Sequence, residues 1–317
     1  MQVSSPASRH PRGSVTTLAV VVPATDRPPT LARCLAALRA GTRAADEVIV
    51  QEDPPGAGPA AARNLAAGRC EADVLVFVDS DVEVHPDALE PIARRFSEDP
   101  ELTALFGAYD DEPADPALTS LYRNLLHHHV HSTAAGEAET FWAGLGAVRR
   151  EAFEASGGFD ADRFPEASVE DIEFGMRLRR SGAKILLDPE ICGRHLKAWT
   201  PLRMLHTDFA RRGVPWMRLL LRDKDDSTTL NLSRQRRLSA LASVALITGL
   251  LSNRPRLAAA AMVAGLVLDR DLYALLARRG GPRLLVAGIA LHVLHLLTAA
   301  ASVPVAAALH LRERAAR

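Results

Sequence analysis

The chain has little cysteine and no net charge. Cys34, Cys70 and Cys192 are its three cysteines in 317 residues, odd in number, far apart and without a CxxC pair. They supply no disulfide framework and fit a reducing compartment. Cys192 and His195 have a ligand-like spacing, but two groups alone make a poor zinc site. A formal charge of zero argues against a protein that grips nucleic acid through a basic surface, so no nucleic-acid partner is expected. The first fifteen residues contain Pro and Arg but no apolar core, so 1–15 are expected to be a disordered lead-in and not a signal peptide. The charge is uneven along the chain. From Leu238 onward nine Arg face three acids, which leaves the preceding part net negative by six.

What is present is most concentrated in VLVFVDSDVEVHPD. Val74 to Val78 contain only large apolar residues, the pattern of a strand buried on both faces. Asp79 and Asp81 follow at once. Two carboxylates at such a strand end are costly unless positive charge is held there. A divalent cation shared with a diphosphate meets that need, because hard cations take carboxylate and phosphate oxygens. The alternative is a strand that ends in an acidic turn.

Leu18 to Val22 give a first strand, closed by Pro23. A helix with Leu31, Leu35 and Leu38 on one face follows over 29–40, with Thr30 as its expected N-cap. A second strand spans Glu47 to Val50, and a second helix spans Ala60 to Ala67, before the strand that ends at Asp79. This alternation predicts a parallel sheet covered by helices on both faces. Ligands of such sheets sit at the carboxyl ends of the strands. Pro23, Asp26, Glu52, Asp53, Asp79 and Asp81 all fall there, which predicts one shared site.

Farther on, a helix is expected to about Phe96, a strand over 103–108, and a helix over 118–131. The last carries LLHHHVH. Its His127, His128, His129 and His131 occupy more than one face, so they do not bind a single metal; a solvated or cleft-facing helix is expected. Thr140 to Val148 (TFWAGLGAV) reads as strand, with Gly144 and Gly146 allowing close approach to a ligand. EDIEFGMRLRRSG reads as a helix entered through its acids and stopped by Gly182. The dipole at that N-terminus is expected to keep Asp171 ionised, ready to take a proton from a hydroxyl. A simple helix-capping acid is the alternative.

Taken in order, these segments resemble the family 2 inverting glycosyltransferases of GT-A fold, in their bacterial membrane-associated form. The resemblance covers about Leu18 to Arg222. LAVVVPATDRPPTLARCL is similar to the family's first strand and helix, with Asp26 where Asn is common. EVIVQEDPP stands where two Asp and Gly-Ser are usual, so Glu52 takes the place of the base-contacting acid and Asp53 of its neighbour. GPAAARN, with Arg63 and Asn64, resembles the lining of the nucleotide pocket, and DSD the metal-binding motif. TFWAGLGAVRREAFEASGGFD resembles the acceptor floor, with Trp142, Gly144 and nearby Glu170 on the acceptor side. The helix of Asp171 takes the place of the catalytic-base helix, and His195 that of a His near metal or phosphate. The resemblance implies a nucleotide-diphospho-sugar donor, with Pro23, Asp26, Glu52, Asp53, Arg63, Asn64 and Asp79 on its side. It implies Mn²⁺ or Mg²⁺ on Asp79, Asp81 and His195, and Asp171 as base in a single inverting displacement.

The C-terminal part is apolar. Leu238 to Ser252 and Leu257 to Leu268 are each shorter than the ~20 residues of a comfortable span. Leu284 to Leu311 is long enough, interrupted by His292, His295 and His310. DRDLYALLARRGGPR reads as an interfacial piece with Arg278, Arg279 and Arg283 toward headgroups. The expected organisation is therefore a glycosyltransferase domain over 16–222, a linker over 223–237 and membrane-associated helices over 238–317. The catalytic part is expected on the cytoplasmic face of the membrane, where Arg-rich flanks remain and nucleotide sugars are made. Its acceptor is then a lipid-linked or envelope glycan. A soluble helical subdomain is the alternative for the tail. For the activity, the alternatives are nucleotidyl transfer and a silent sugar-nucleotide-binding scaffold.

Overall fold

A computed structural model describes residues 16–223 and 233–315. The expected lead-in over 1–15 and most of the expected linker lie outside the described residues. Strands β1 (Leu18–Pro23), β2 (Glu47–Gln51) and β3 (Val74–Val78) alternate with helices α1 (Leu31–Arg39) and α2 (Gly58–Ala67). Then come β4 (Val82–Val84), α3 (Leu89–Glu98), β5 (Leu102–Tyr109), α4 (Leu118–Thr133) and β6 (Gly136–Glu137). The remaining sheet elements and their helices are β7 (Leu145–Arg149), α5 (Arg150–Ala155), α6 (Glu170–Arg180) and β8 (Lys184–His195).

The strands form one sheet in the order β2-β1-β3-β7-β5-β8-β4, with β6 beside β8. The expected parallel pairing holds for β1, β2 and β3, but the sheet as a whole is mixed. β1 runs parallel to β2 and β3, whereas β7 is antiparallel to both β3 and β5. Apolar runs show that a strand is buried but not which way it points, so the reversal at β7 left no mark in composition. Side chains that alternate along each strand build two cores. Leu18, Val20, Val22, Val74, Val76 and Val78 belong to one face, and Ala19, Val21, Leu75 and Phe77 to the other.

Three local details differ from the sequence expectation. Thr30 is the N-cap of α1, but its side chain accepts no capping hydrogen bond and its backbone is already helical. The piece expected as strand over 140–148 is extended only from Leu145; Thr140 to Gly144 are irregular. The glycines of that piece serve packing within the protein. A Cβ on Gly144 would stand 2.4 Å from the Trp142 indole, and one on Gly146 2.3 Å from the Trp142 carbonyl oxygen. Close approach there is by the protein's own tryptophan.

After β8 the chain forms α7 (Pro201–His206), a π-helical turn (Thr207–Gly213) and α8 (Val214–Asp223). The apolar tail is α9 (Arg234–Leu251), α10 (Pro255–Leu268) and α11 (Arg270–Ala315). α11 breaks at Gly281, whose φ of 64° and ψ of −164° are not helical, just before Pro282. Its length and apolar composition are those of a membrane span. One face of α11 nevertheless packs on α4, α8 and the π-helical turn. Two of the histidines that interrupt its apolar run, His292 and His295, lie on that face. His292 shares a hydrogen bond with the Tyr122 hydroxyl at 2.9 Å, and His295 meets the Asp208 carboxylate at 2.8 Å. Val286, Val303 and Leu311, at 69%, 50% and 64% exposure, are left on the outer surface.

Candidate active site

The carboxyl ends of the first strands open into a cleft of about 580 Å³. Its position follows from the pairing of the sheet. Asp79 leaves β3 with its N–H donated to the Gly144 carbonyl at 3.0 Å, and its own carbonyl accepts from Val82 at 2.9 Å to close a turn. β4 then pairs antiparallel with β8, Val82 opposite His195. That register brings Asp81 beside the end of β8. His195 Nε2 is 3.8 Å and Lys197 Nζ 3.4 Å from the Asp81 carboxylate. Burial works to raise the Asp81 pKa, but the adjacent His195 imidazole and the Lys197 ammonium outweigh it and hold the carboxyl well below its usual range.

The centre of the arrangement is Arg63. Its side chain is 4% exposed; one nitrogen donates to Asp79 Oδ1 at 2.6 Å and another to Glu170 Oε1 at 2.9 Å. Arg63 comes from α2, Asp79 from the end of β3 and Glu170 from the first turn of α6. One guanidinium therefore ties the acidic strand end to the helix that carries Asp171. Asp171 is partly buried, with Oδ2 accepting from the Ala143 N–H at 3.2 Å and Oδ1 from its neighbour Ile172 at 2.8 Å. α6 comes this close because Gly175 has no side chain: a Cβ there would stand 2.1 Å from the Phe141 nitrogen.

The helix dipole does not decide the state of Asp171. Burial, then the charge of Glu170, pushes its carboxyl up to about 7, against the opposing Arg63 charge and the Ala143 N–H. This corrects the expectation of a permanently ionised acid. The dipole at a helix end is worth roughly 0.3–1 kcal/mol, less than desolvation beside a second carboxylate. A base poised near neutrality is better matched to taking a proton and later releasing it.

The cleft is lined by Pro23, Asp26, Arg63, Asp79, Asp81, Trp142, Glu170, Asp171 and His195, all of which the sequence had singled out. Glu52 and Asp53 are exposed just beyond β2 and do not line it. Asn64 does not line it either. Its amide donates to the Phe159 carbonyl at 2.7 Å and accepts from the Phe159 N–H at 2.9 Å, a clamp between α2 and the loop after α5. Gly144 supports the site through the Asp79 N–H.

Other residues join the site, among them part of the histidine run. Tyr109 stacks on His195, ring centroids 4.2 Å apart and 13° from parallel, and meets Trp142 edge-on at 4.9 Å. His127 and His131 complete this cluster against Trp142. The histidine run is thus divided: His127 and His131 face the cleft, while His128 bonds the Tyr109 carbonyl at 2.8 Å. Burial pushes His131 down to about 4, so it is neutral at physiological pH. Lys197, two residues beyond the end of β8, was not singled out in the sequence.

Among the described residues, no three His, Cys, Asp or Glu side chains converge on one point as a closed metal cage. Asp79 has one oxygen engaged by Arg63. Asp81 and His195 remain as a carboxylate and an imidazole side by side. This donor set fits an ion that takes its other ligands from a diphosphate.

Residues 53–157 match the family model described as Glycosyl transferase family 2. No curated relative matches the chain. Among solved structures, the chain is similar to a mannosyltransferase, PcManGT from Pyrobaculum calidifontis, in complex with GDP-Man and Mn²⁺. The two are 16% identical with a TM-score of 0.51, over 97% of this chain and 90% of that one. The match shows the fold of the two chains to be alike. Residues 53–157 thus carry the family 2 glycosyltransferase match, within a GT-A-like sheet that is followed by a long apolar helix.

The Asp171 carboxyl is expected to titrate near 7 in the free protein. Carbon-13 NMR of labelled aspartates through pH 4 to 9 checks it, with Asp171→Asn identifying the signal. A midpoint below 5 would restore the capping role and remove the poised base.

Proposed function

We propose that this protein is a family 2 glycosyltransferase that moves a sugar from a nucleotide-diphospho-sugar to a hydroxyl of a lipid-linked or envelope glycan acceptor, with inversion at the anomeric carbon. The observation that carries this reading is that Asp171 and the Asp79–Asp81 pair line one cleft, with Arg63 tying Asp79 to Glu170, the residue before Asp171. A single base and an anion-stabilising strand end are what a one-step displacement needs. The nucleotide lies toward Pro23 and Asp26, with Glu52 and Asp53 beyond them at the end of β2. The sugar faces Asp171, and the acceptor enters over Trp142.

Asp171 takes the proton of the acceptor hydroxyl as the new glycosidic bond forms. Glu170 keeps Asp171 basic through its charge, and Arg63 keeps Glu170 and Asp79 in place. Lys197 and His195 stand where negative charge gathers on the departing diphosphate. Asp81 and His195, with Asp79, would hold a Mn²⁺ or Mg²⁺, which would supply further positive charge to the diphosphate. The crystallised mannosyltransferase neighbour with its GDP-Man and Mn²⁺ supports both the donor class and the ion.

The domain over 16–222 works, in this reading, from the cytoplasmic face of a membrane held by the helices beyond Leu238. Exposed apolar side chains on α9, α10 and α11, among them Leu241, Val263 and Val286, support it. Burying such surface in lipid releases about 25 cal/mol per Å² and does not depend on salt. Pairing of Arg residues with headgroups is screened within about 10 Å at 0.1 M salt.

Two outcomes are expected. Asp81→Ala abolishes metal-dependent nucleotide-sugar binding, while Asp171→Asn keeps that binding and lowers transfer about 100-fold or more. Calorimetry and single-turnover transfer read the two effects separately; wild-type transfer by Asp171→Asn would remove the base. Full-length protein should stay with membranes in high salt and leave them in detergent. Release by salt alone would place the helices only against the surface, and recovery in soluble form without detergent would make them a packed subdomain.

A further inference from the structure

The segment that follows β8 contributes a second group of functional side chains to the cleft. Lys197, Trp199, Arg203, Arg211, Arg212 and Trp216 all line it. Arg123 joins them from α4. Several of these cations have partners: Arg211 pairs with Glu166, Arg123 with Asp208 at 2.8 Å, and Lys197 with Asp81 at 3.4 Å. Arg203 and Arg212 pair with no carboxylate among the described residues.

The tryptophans add a second, independent observation. Trp199 and Trp216 are 7% and 8% exposed, yet neither indole N–H has an acceptor among the described residues. A buried donor left unpaired costs about 1–3 kcal/mol. The Trp199 ring also has three cations against it, Arg123 at 5.5 Å, Lys197 at 5.4 Å and Arg203 at 5.8 Å from its centroid. Asp208 and Asp81 already answer Arg123 and Lys197, which leaves Arg203 as the cation on this ring without a carboxylate partner among the described residues.

Every free group on this wall donates. Sugar hydroxyls bring donors as well as acceptors, whereas phosphoryl oxygens only accept and carry charge. The wall is also continuous with the tail. α11 packs on the π-helical turn and α8, which bear Arg211, Arg212 and Trp216. His295 of α11 holds the Asp208 carboxylate that in turn holds Arg123.

We propose that the wall formed by Trp199, Arg203, Arg212 and Trp216 binds the phosphoryl group of the acceptor, whose apolar chain leaves along α11. This rests on the glycosyl-transfer reading and names its acceptor class: a phosphate or diphosphate ester of a lipid. The wall recognises the acceptor's charge, and Asp171 acts on its hydroxyl.

The test uses full-length protein in detergent. Farnesyl phosphate, farnesol, inorganic phosphate and a nucleoside diphosphate are titrated separately against wild type, Arg203→Gln/Arg212→Gln, Arg203→Lys/Arg212→Lys and Trp216→Phe. Farnesyl phosphate is expected to bind at least about tenfold more tightly than farnesol or inorganic phosphate. The Gln pair should lose that preference and the Lys pair regain part of it, with nucleoside diphosphate affinity changed less than about twofold. Trp216→Phe should weaken farnesyl phosphate several-fold. Equal binding of farnesol, an unchanged preference in the Gln pair, or loss of nucleoside diphosphate affinity in its place would overturn the assignment. In the last case the cations serve the donor. Failure of the wild type to bind the nucleoside diphosphate while still preferring farnesyl phosphate would instead sink the transfer reading and uphold the phosphoryl site.

Discussion

The structure turns on a single buried guanidinium. Arg63 is enclosed by protein and satisfies two carboxylates from distant parts of the chain, Asp79 at the end of β3 and Glu170 at the start of α6. A buried charge without partners is strongly unfavourable, so neither acid is free to leave once the core has formed. Through this tie the position of Asp171 depends on that of the acidic strand end. Glu170, held by Arg63, supplies one of the charges that raise its neighbour. The arrangement costs stability compared with an apolar core, and fixes two reactive ends of a cleft at one separation.

A comparable economy governs the tail. Histidines interrupt an otherwise apolar helix, and His292 and His295 turn inward to Tyr122 and Asp208. Their apolar neighbours are then free to face outward. The same contacts hold α4, which delivers Arg123, His127 and His131 to the cleft. Docking of the apolar helix and the shape of the active site are therefore parts of one packing problem.

The sequence was legible where one physical demand dominated. β1 and β3 are filled with apolar side chains because both of their faces are buried, and the acids at their ends stand out by contrast. α6 was legible from its acids, its mixed apolar face and Gly182. Legibility failed where tertiary contacts decide. The direction of β7, the poised state of Asp171 and the packing role of Gly144 all depend on neighbours far away in the chain. Asn64 read as a pocket residue, since nothing in GPAAARN announces the Phe159 backbone it clamps. Lys197, Arg212 and Trp216 lie in segments with no motif; only their convergence on one cleft gives them meaning.

The central claim is inverting transfer by one base, and the anomeric outcome tests it most directly. Purified protein, Mn²⁺ and a panel of nucleotide sugars are followed by proton NMR as nucleotide is released. The account predicts that at least one donor is consumed and that the first-formed product has the anomeric configuration opposite to the donor's. Retention of configuration would contradict a single displacement assisted by Asp171, and a panel left wholly intact would contradict glycosyl transfer itself.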